Sequence, residues 1–457
     1  MLTELSIGNF KSWKEIGEMK LAPITGLFGV NSSGKTSILQ FLLMLKQTVE
    51  SSDRAQALIF GNEKTPVNLG SFQEIIYSHD LNNSFTCRIK WRRAKNLKIK
   101  DPFDQKAIIF DSGDMWFETE VIQEKDRLKV KSLVYQLGSD RFKMERENGN
   151  GKYRLNYENA KNQQGFKFIR TQGRPWELPS PVKCYGFPDE VKAYFQNAGF
   201  MSDLQLAFEE MFSNVYYLGP LREYPKRQYS WSGSEPADMG QRGEHVVDAL
   251  LAARINNTTI SMGQRQKRRL LEEHVAWWLK ELGLIHDFKV DTISSSSGLY
   301  KVTVRKTSQC PEALITDVGF GVSQILPVLV LCFYVPEGST IILEQPEIHL
   351  HPSVQAGLAD VFIDAVKRKN IQIIFESHSE HLLRRIQRRV AENKISNEKI
   401  ALYFCEMAGS HSELSALDLE KSGNIINWPK DFFGDEFGEL AATVKAGIER
   451  QKNEQIQ

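Results

Sequence analysis

The stretch Ile24-Thr-Gly-Leu-Phe-Gly29-Val-Asn31-Ser32-Ser33-Gly34-Lys35-Thr36-Ser37 holds the residue types best suited to chemistry. Gly29, Gly34, Lys35 and Thr36 stand at the spacing of a phosphate-binding loop (P-loop), between an apolar run and the apolar stretch from Ile38 to Leu45. A strand must end here so that successive backbone N–H groups, through Asn31, Ser32, Ser33 and on to Ser37, converge with a helix N-terminus on phosphate oxygens. Lys35 then neutralises the β- and γ-phosphates of ATP, and the Thr36 hydroxyl ligates Mg²⁺.

Further candidates lie where apolar runs end in polar residues. Ser339-Thr-Ile-Ile-Leu-Glu344-Gln345-Pro-Glu347 reads as a buried strand whose terminal acid, Glu344, supplies Mg²⁺ with an oxygen at the C-terminal edge of a sheet. A base for the attacking water belongs next, yet position 345 is Gln, which orients water but cannot take a proton; Glu347 can serve instead. His349 and His351 read as parts of a structured loop, because a third imidazole is missing for a metal site. Ile371 to His381 repeats the pattern, and His378 is a candidate hydrogen-bond partner for the γ-phosphate or the water. Gly321, Ser323 and Gln324 open an apolar helix whose N-terminus can grip phosphate; because the P-loop already cradles this chain's nucleotide, it is free to face a second molecule's, or simply caps the helix. Phe10 and Lys11, just ahead of the P-loop strand, suit either adenine and ribose or a turn with a core-packing ring. Gln73, in the loop Leu69 to Asp80, is a candidate for sensing Mg²⁺ or the γ-phosphate.

The elements that must position these groups follow from composition and period. The 457 residues are 41% hydrophobic and 25% charged, with a net charge of +1, as in an ordinary soluble globular protein. Overall charge therefore gives no argument for a nucleic acid or a membrane partner. The five cysteines are far apart and read as reduced thiols in a cytosol. A charged strand at the N-terminus excludes a signal peptide, and the run Ile325 to Val335 is too short to cross a bilayer, so a cytoplasmic location is expected. Alternating stretches from 84 to 157 predict β-hairpins, helical patterns appear around 203–212, 246–253 and 268–282, and 287–305 predicts another hairpin. From 314 onward strand and helix alternate, which predicts a largely parallel sheet with helices on both faces. The expected organisation is a P-loop lobe at 1–84, a β-rich and helical insertion at 85–215, the rest of the head at 216–430 and a helical tail at 431–457. No heptad repeat runs through 85–315, so no long coiled coil is expected. Basic runs at 88–100, 265–269 and 384–389 are candidate DNA contacts or solvated faces.

Taken in order, NFKSW, GVNSSGKTS, the Gln73 loop, DVGFGVSQ, IILEQPEIHLHP and FESHSEHLLRR resemble ATP-binding-cassette ATPases of the RecF, SMC and overcoming-lysogenization-defect type. The resemblance covers roughly residues 1–80 and 215–430. It implies an α/β P-loop head that pairs into a homodimer or higher homo-oligomer, with ATP and Mg²⁺ between one P-loop and the partner's DVGFGVSQ signature. It also implies an adenine-side role for Phe10 and Lys11, subunit contact by HLHP and a switch role for His378. EQPEIHLHP, ESHSEHLLRRIQRR and the Asn427–Phe433 stretch look similar to compact bacterial ATPases that accompany nucleases in anti-phage defence, such as the PtuA subunit of Septu systems. That likeness implies a separate nuclease subunit, of HNH type; in this chain Asp418 and Glu420 lack the further acids of a metal-dependent cleavage site, so no nuclease site is expected here. A RecF-like DNA repair clamp and a nucleotide-sensing scaffold with little turnover are the alternatives, the latter because Gln345 stands where such families carry a catalytic glutamate. A transporter motor fits least, since nothing in the chain resembles its coupling surface.

Overall fold

The computed structural model describes all residues except 105, 148–150, 160–165, 174–176, 264, 295–297, 430–431, 433–441, 444 and 447–457. Runs of β-branched and aromatic residues build its centre, a six-stranded sheet in the order His411–Ala416, Ile400–Ala408, Ile24–Gly29, Gln372–Glu376, Thr340–Glu344, Val215–Leu218. Every neighbouring pair is parallel except the outermost one, His411–Ala416 on Ile400–Ala408. Thr340–Glu344 and Gln372–Glu376 are buried at every position, as strands covered on both faces must be.

Alternate side chains of these strands feed two cores. Leu27, Ile342, Ile374 and Cys405 pack with the helix Lys35–Glu50 and a second sheet. Phe28, Ile341, Leu343, Ile373 and Phe375 pack with the helices Val246–Ile255, Gly321–Tyr334, Pro352–Lys369 and Glu380–Ala391. The expected α/β head with helices on both faces is thus present. Because the central strands run parallel, their C-terminal ends share one edge. In register, Glu344 lies beside Glu376, and Glu376 beside Leu27 of the strand that enters the P-loop.

The second sheet is antiparallel and seven-stranded, from Trp13–Lys20 and Leu2–Phe10 through Phe85–Lys100, Ile108–Glu124, Arg127–Leu137 and Asp140–Arg146 to Tyr153–Asn159. Phe85–Lys100 pairs directly with Leu2–Phe10, Ser6 opposite Arg88. The boundary expected at 84/85 therefore runs through a sheet, and strands 85–159 extend the N-terminal one. Alternation reveals that a strand has one buried face but not which sheet it joins. The helix Met201–Ser213 covers this sheet, with Phe208 fully buried 4.4 Å from the Phe117 ring. Lys183, from the same region, donates to Thr48 O at 2.7 Å, Val49 O at 3.1 Å and Ser51 O at 2.6 Å. A cation thereby satisfies orphan carbonyls at the C-terminal end of the P-loop helix and opposes its dipole.

The longest described helix, Pro352–Lys369, has 18 residues, so no coiled-coil arm is present among the described residues. No described helix is long and apolar enough to cross a membrane. The tail expected at 431–457 lies almost wholly outside the described residues; Phe432 packs 4.7 Å from Phe404. In two of the three basic runs folding brings acids to most of the cations, although Lys95 and Lys100 of the 88–100 run form no ion pair among the described residues. Arg88 pairs with Glu118, Lys90 with Glu4, Arg92 with Asp114 and Arg93 with Glu210. Arg384 pairs with Glu380, Arg385 and Arg389 with Asp360, and Arg388 with Glu392.

The entry to the P-loop requires glycine. Gly29 has φ +135°, and an added Cβ would stand 2.0 Å from the Cys405 carbonyl oxygen, which neighbouring strand pairing holds in place. Gly29→Ala is expected to destabilise the fold by at least about 2 kcal/mol in denaturant unfolding; wild-type stability would show that the loop entry can relax around a side chain.

Candidate nucleotide site

The P-loop spans the turn from Ile24–Gly29 into the helix Lys35–Glu50. Gly34 caps that helix in the left-handed region at φ +90°, where an added Cβ would stand 2.7 Å from Ser412 Oγ and 2.8 Å from Trp13 Nε1. Asn31 and Ser32 are exposed, Ser33 is buried and Ser37 half-buried. The Lys35 side chain folds back over the loop and donates to Gly29 O at 3.0 Å and Val30 O at 2.6 Å. Burial draws its pKa down, while Glu376 and, more weakly, Glu347 restore part of it. A buried cation resting on two loop carbonyls and, at 3.5 Å, the Ser33 hydroxyl, inside a loop of small residues, fits the phosphates of a nucleotide.

Three carboxylates converge here. Glu376 Oε2 accepts from Thr36 Oγ1 at 2.7 Å and also takes a bond from the Gln345 side chain; burial raises its pKa against these bonds and Lys35. Glu344 accepts from the Tyr217 hydroxyl at 3.0 Å. Burial and the neighbouring Glu376 push it up to about 7, against Tyr217, Arg222 and Lys11. Glu347 Oε1 accepts from Ser377 Oγ at 2.8 Å and His378 N at 2.7 Å, while Oε2 is buried without a partner. Burial raises this carboxyl too. Thr36 with Glu344 and Glu376 is an oxygen set suited to Mg²⁺, which is commonly held through one or two carboxylates.

Gln345 sits at φ +42° with its N–H on Glu376 O at 3.1 Å, so the residue at the base's place is clamped to the next strand. His378 is exposed, and partial burial and Lys35 hold its pKa below the usual imidazole range. The signature segment is built differently from the P-loop. Gly321 starts the helix Gly321–Tyr334, the Ser323 hydroxyl donates to Phe320 O at 2.8 Å, and Gln324 is buried with Nε2 unpartnered. Phe320 is exposed, 5.4 Å from the Tyr224 ring and 5.7 Å from that of His349.

One sequence candidate is displaced. Phe10 is fully buried, edge-on to Phe41 and Phe85 at 5.9 and 6.0 Å, which leaves no ring face for a base. The group that reaches the P-loop from that segment is Trp13, whose Nε1 donates to Gly34 O at 3.0 Å. Lys11 does face inward, bonded to Gln40 and within electrostatic reach of Glu344. Gln73 lies exposed on the short helix Phe72–Ile75, with its backbone carbonyl on His79 Nδ1 at 2.7 Å; Glu376, unremarked in the sequence, is the carboxylate on Thr36. Its signal was available, since Gln-Ile-Ile-Phe-Glu376 ends as Thr-Ile-Ile-Leu-Glu344 does. Arg222, 4% exposed, also adjoins the acids, and burial draws it down to about 10.

Comparison with known proteins agrees with this chemistry. The family model described as an AAA ATPase domain matches residues 1–172. One described as "AAA domain, putative AbiEii toxin, Type IV TA system" matches 310–384, and one of unknown function (DUF3696) matches 395–442. Together with the P-loop and its carboxylates, these matches place the chain in the P-loop ATPase class. No curated protein matches it. Among solved structures, the SMC head bound to the C-winged helix domain of ScpA is 11% identical, covering 92% of this chain and 99% of that one, at a TM-score of 0.46. The SMC head domain from Thermotoga maritima is 11% identical over 91% and 99%, at 0.38. An SMC head with an extended coiled coil, bound to the C-terminal domain of ScpA derived from Pyrococcus furiosus, is 9% identical over 92% and 97%, at 0.46. At these scores the likenesses add nothing to the fold, which rests on strand order and the P-loop.

Ionisation of Glu344 sets a pH dependence. The folded chain holds this proton up to about pH 7, whereas an unfolded glutamate releases it near 4.5. Stability from this group is therefore fully present below about pH 4.5 and is lost as the pH rises to about 7. Without metal or nucleotide, Glu344→Gln is expected to melt above the wild type at pH 8, by the equivalent of about 1–3 kcal/mol, with the gap closing toward pH 5. Equal melting at pH 8 would mean that Glu344 ionises without penalty.

Proposed function

We propose that the chain is an ABC-type ATPase subunit of the RecF and SMC kind, acting in bacterial anti-phage defence, whose ATP-dependent assembly controls a partner nuclease. The observation that carries the ATP switch is Glu347. One carboxylate oxygen takes the Ser377 hydroxyl and the His378 amide, so the loop after Glu344 and the segment bearing the switch histidine move as one. Lys35 binds the phosphates, Gln345 orients the attacking water, Glu347 receives its proton and His378 contacts the γ-phosphate. Bound Mg²⁺ supplies charge neutralisation to the phosphates, with Thr36, Glu344 and Glu376 as the oxygens that would hold it.

The exposed Phe320, His349 and Tyr224 favour pairing of two copies, since exposed aromatics beside a site suit an interface. The nuclease partner and the defence role are supported by the motifs EQPEIHLHP and ESHSEHLLRRIQRR. Pairing of Arg88, Lys90, Arg92 and Arg93 and of the 384–389 arginines with acids weighs against direct DNA clamping, although Lys95, Lys100, Arg265, Lys267, Arg268 and Arg269 lack acidic partners among the described residues. A second reading, a nucleotide sensor with little turnover, is favoured by Gln345, whose amide is held on Glu376.

Lys35→Ala is expected to weaken ATP binding at least about 100-fold, the loss of a cation that makes charge-assisted bonds to phosphate; unchanged affinity by calorimetry would remove the P-loop assignment. Glu347→Gln should trap an ATP-bound assembly, seen as a persistent larger species in mass-resolved chromatography with ATP and Mg²⁺. Unchanged phosphate release by that variant would leave water orientation by Gln345 as the operative step.

A further inference from the structure

We infer that Arg222 reads the γ-phosphate of ATP within its own chain, so that one subunit distinguishes triphosphate from diphosphate before a partner joins. This deepens the ATPase reading and rests on it. The strand Val215–Leu218 runs parallel to Thr340–Glu344 with Leu218 beside Leu343, so the turn that follows emerges at the edge where Glu344 and Glu376 end. That turn is pinned on both sides: Gly219 N donates to Gln241 O at 2.8 Å and Glu223 N to Arg242 O at 2.9 Å. Arg222 is thereby carried back beside Tyr217, Glu344 and Glu347, the groups whose charges act on it.

The guanidinium is 4% exposed, yet Nε and both terminal nitrogens lack a hydrogen-bond partner. No carboxylate among the described residues forms an ion pair with it, those of Glu344 and Glu347 included. Five N–H donors left unmet in a buried place are costly, and the other cations of the site differ: Lys35 rests on Gly29 O and Val30 O, and Lys11 on Gln40. A planar fork of free donors matches the oxygens of a phosphoryl group. The acids beside it are those that would hold Mg²⁺ and address the water, which makes the terminal phosphate the one within reach. A guanidinium that served only as counter-charge to Glu344 would be expected to bond it.

The test is calorimetry on the full chain with Mg²⁺, comparing a non-hydrolysable ATP analogue with ADP. The wild type should bind the triphosphate more tightly. Arg222→Met should lose at least 20-fold in triphosphate affinity while ADP affinity stays within threefold, and Arg222→Lys, which keeps charge without the fork, should lose about fivefold for the triphosphate alone. An unchanged triphosphate-to-ADP ratio in either variant overturns the inference, as does a wild type that binds both nucleotides equally. Equal loss of both nucleotides with a lowered melting temperature means a structural role and also overturns it. If Arg222→Met does not fold, the ratio in Arg222→Lys decides. A wild type that binds neither nucleotide defeats the ATPase reading itself, and Lys35→Ala, expected to lose both, marks that separate failure.

Discussion

The hydrogen bond from Thr36 Oγ1 to Glu376 Oε2 spans 340 positions of sequence at 2.7 Å, and it depends on parallel strands that end in register. Parallel pairing needs crossovers, and here the crossovers are helices that cover the sheet's faces. With both faces covered, the strands are apolar throughout, and the polar residues that end them are forced to the one edge where the chain can turn. Glu344 and Glu376 meet because their strands share that constraint. Burial then does the chemical tuning: it raises all three carboxyls and lowers Lys35, leaving a site whose charges are poorly satisfied by the protein alone.

Such a site must be held from outside, and the supports are non-local. Trp13 fastens the first hairpin to Gly34, and Lys183 fastens the far end of the P-loop helix to the region before the helix Met201–Ser213. The P-loop helix is thus braced at its start by the hairpin of the antiparallel sheet and at its far end by the segment bearing Lys183. Strands 85–159 are continuous with the hairpin that bears Trp13, so the antiparallel sheet holds the indole that meets Gly34.

What could be read from the chain followed the range of the signal. The P-loop, the acid ending Thr340–Glu344 and the strand-helix rhythm after 314 depend on residues within a dozen positions of one another, and each is present as expected. Phe10 and Trp13 are three residues apart in a tight hairpin, and only the pairing register decides that the ring of Phe10 turns into the core while the indole meets Gly34. The basic run at 88–100 reads as unopposed because the acids that reach it, Glu4, Asp111, Asp114, Glu118 and Glu210, lie elsewhere in the sequence. Arg222 stood in a Gly, Pro and charge-rich stretch that resembles surface loop; the strand it follows, only Val215–Leu218, was too short to announce that the turn lies over the sheet's working edge.

The signature segment departs from the familiar motif, and its helix start decides what the proposed pairing could use there. Ser323 spends its single hydroxyl proton on Phe320 O, so side-chain donation to a phosphate would first cost that bond, about 1 kcal/mol. The helix Gly321–Tyr334 nonetheless begins with N–H groups that have no intrahelical acceptor, and its dipole is positive there. Gly321, half-exposed and without a side chain, lets an anion approach those groups closely. In the proposed pairing, therefore, the grip on a second subunit's nucleotide would come from the backbone of residues 321–323, beside the exposed rings of Phe320 and His349. A grip made of main-chain donors needs a particular helix start rather than a particular serine, and Phe320 and Gly321 supply that start.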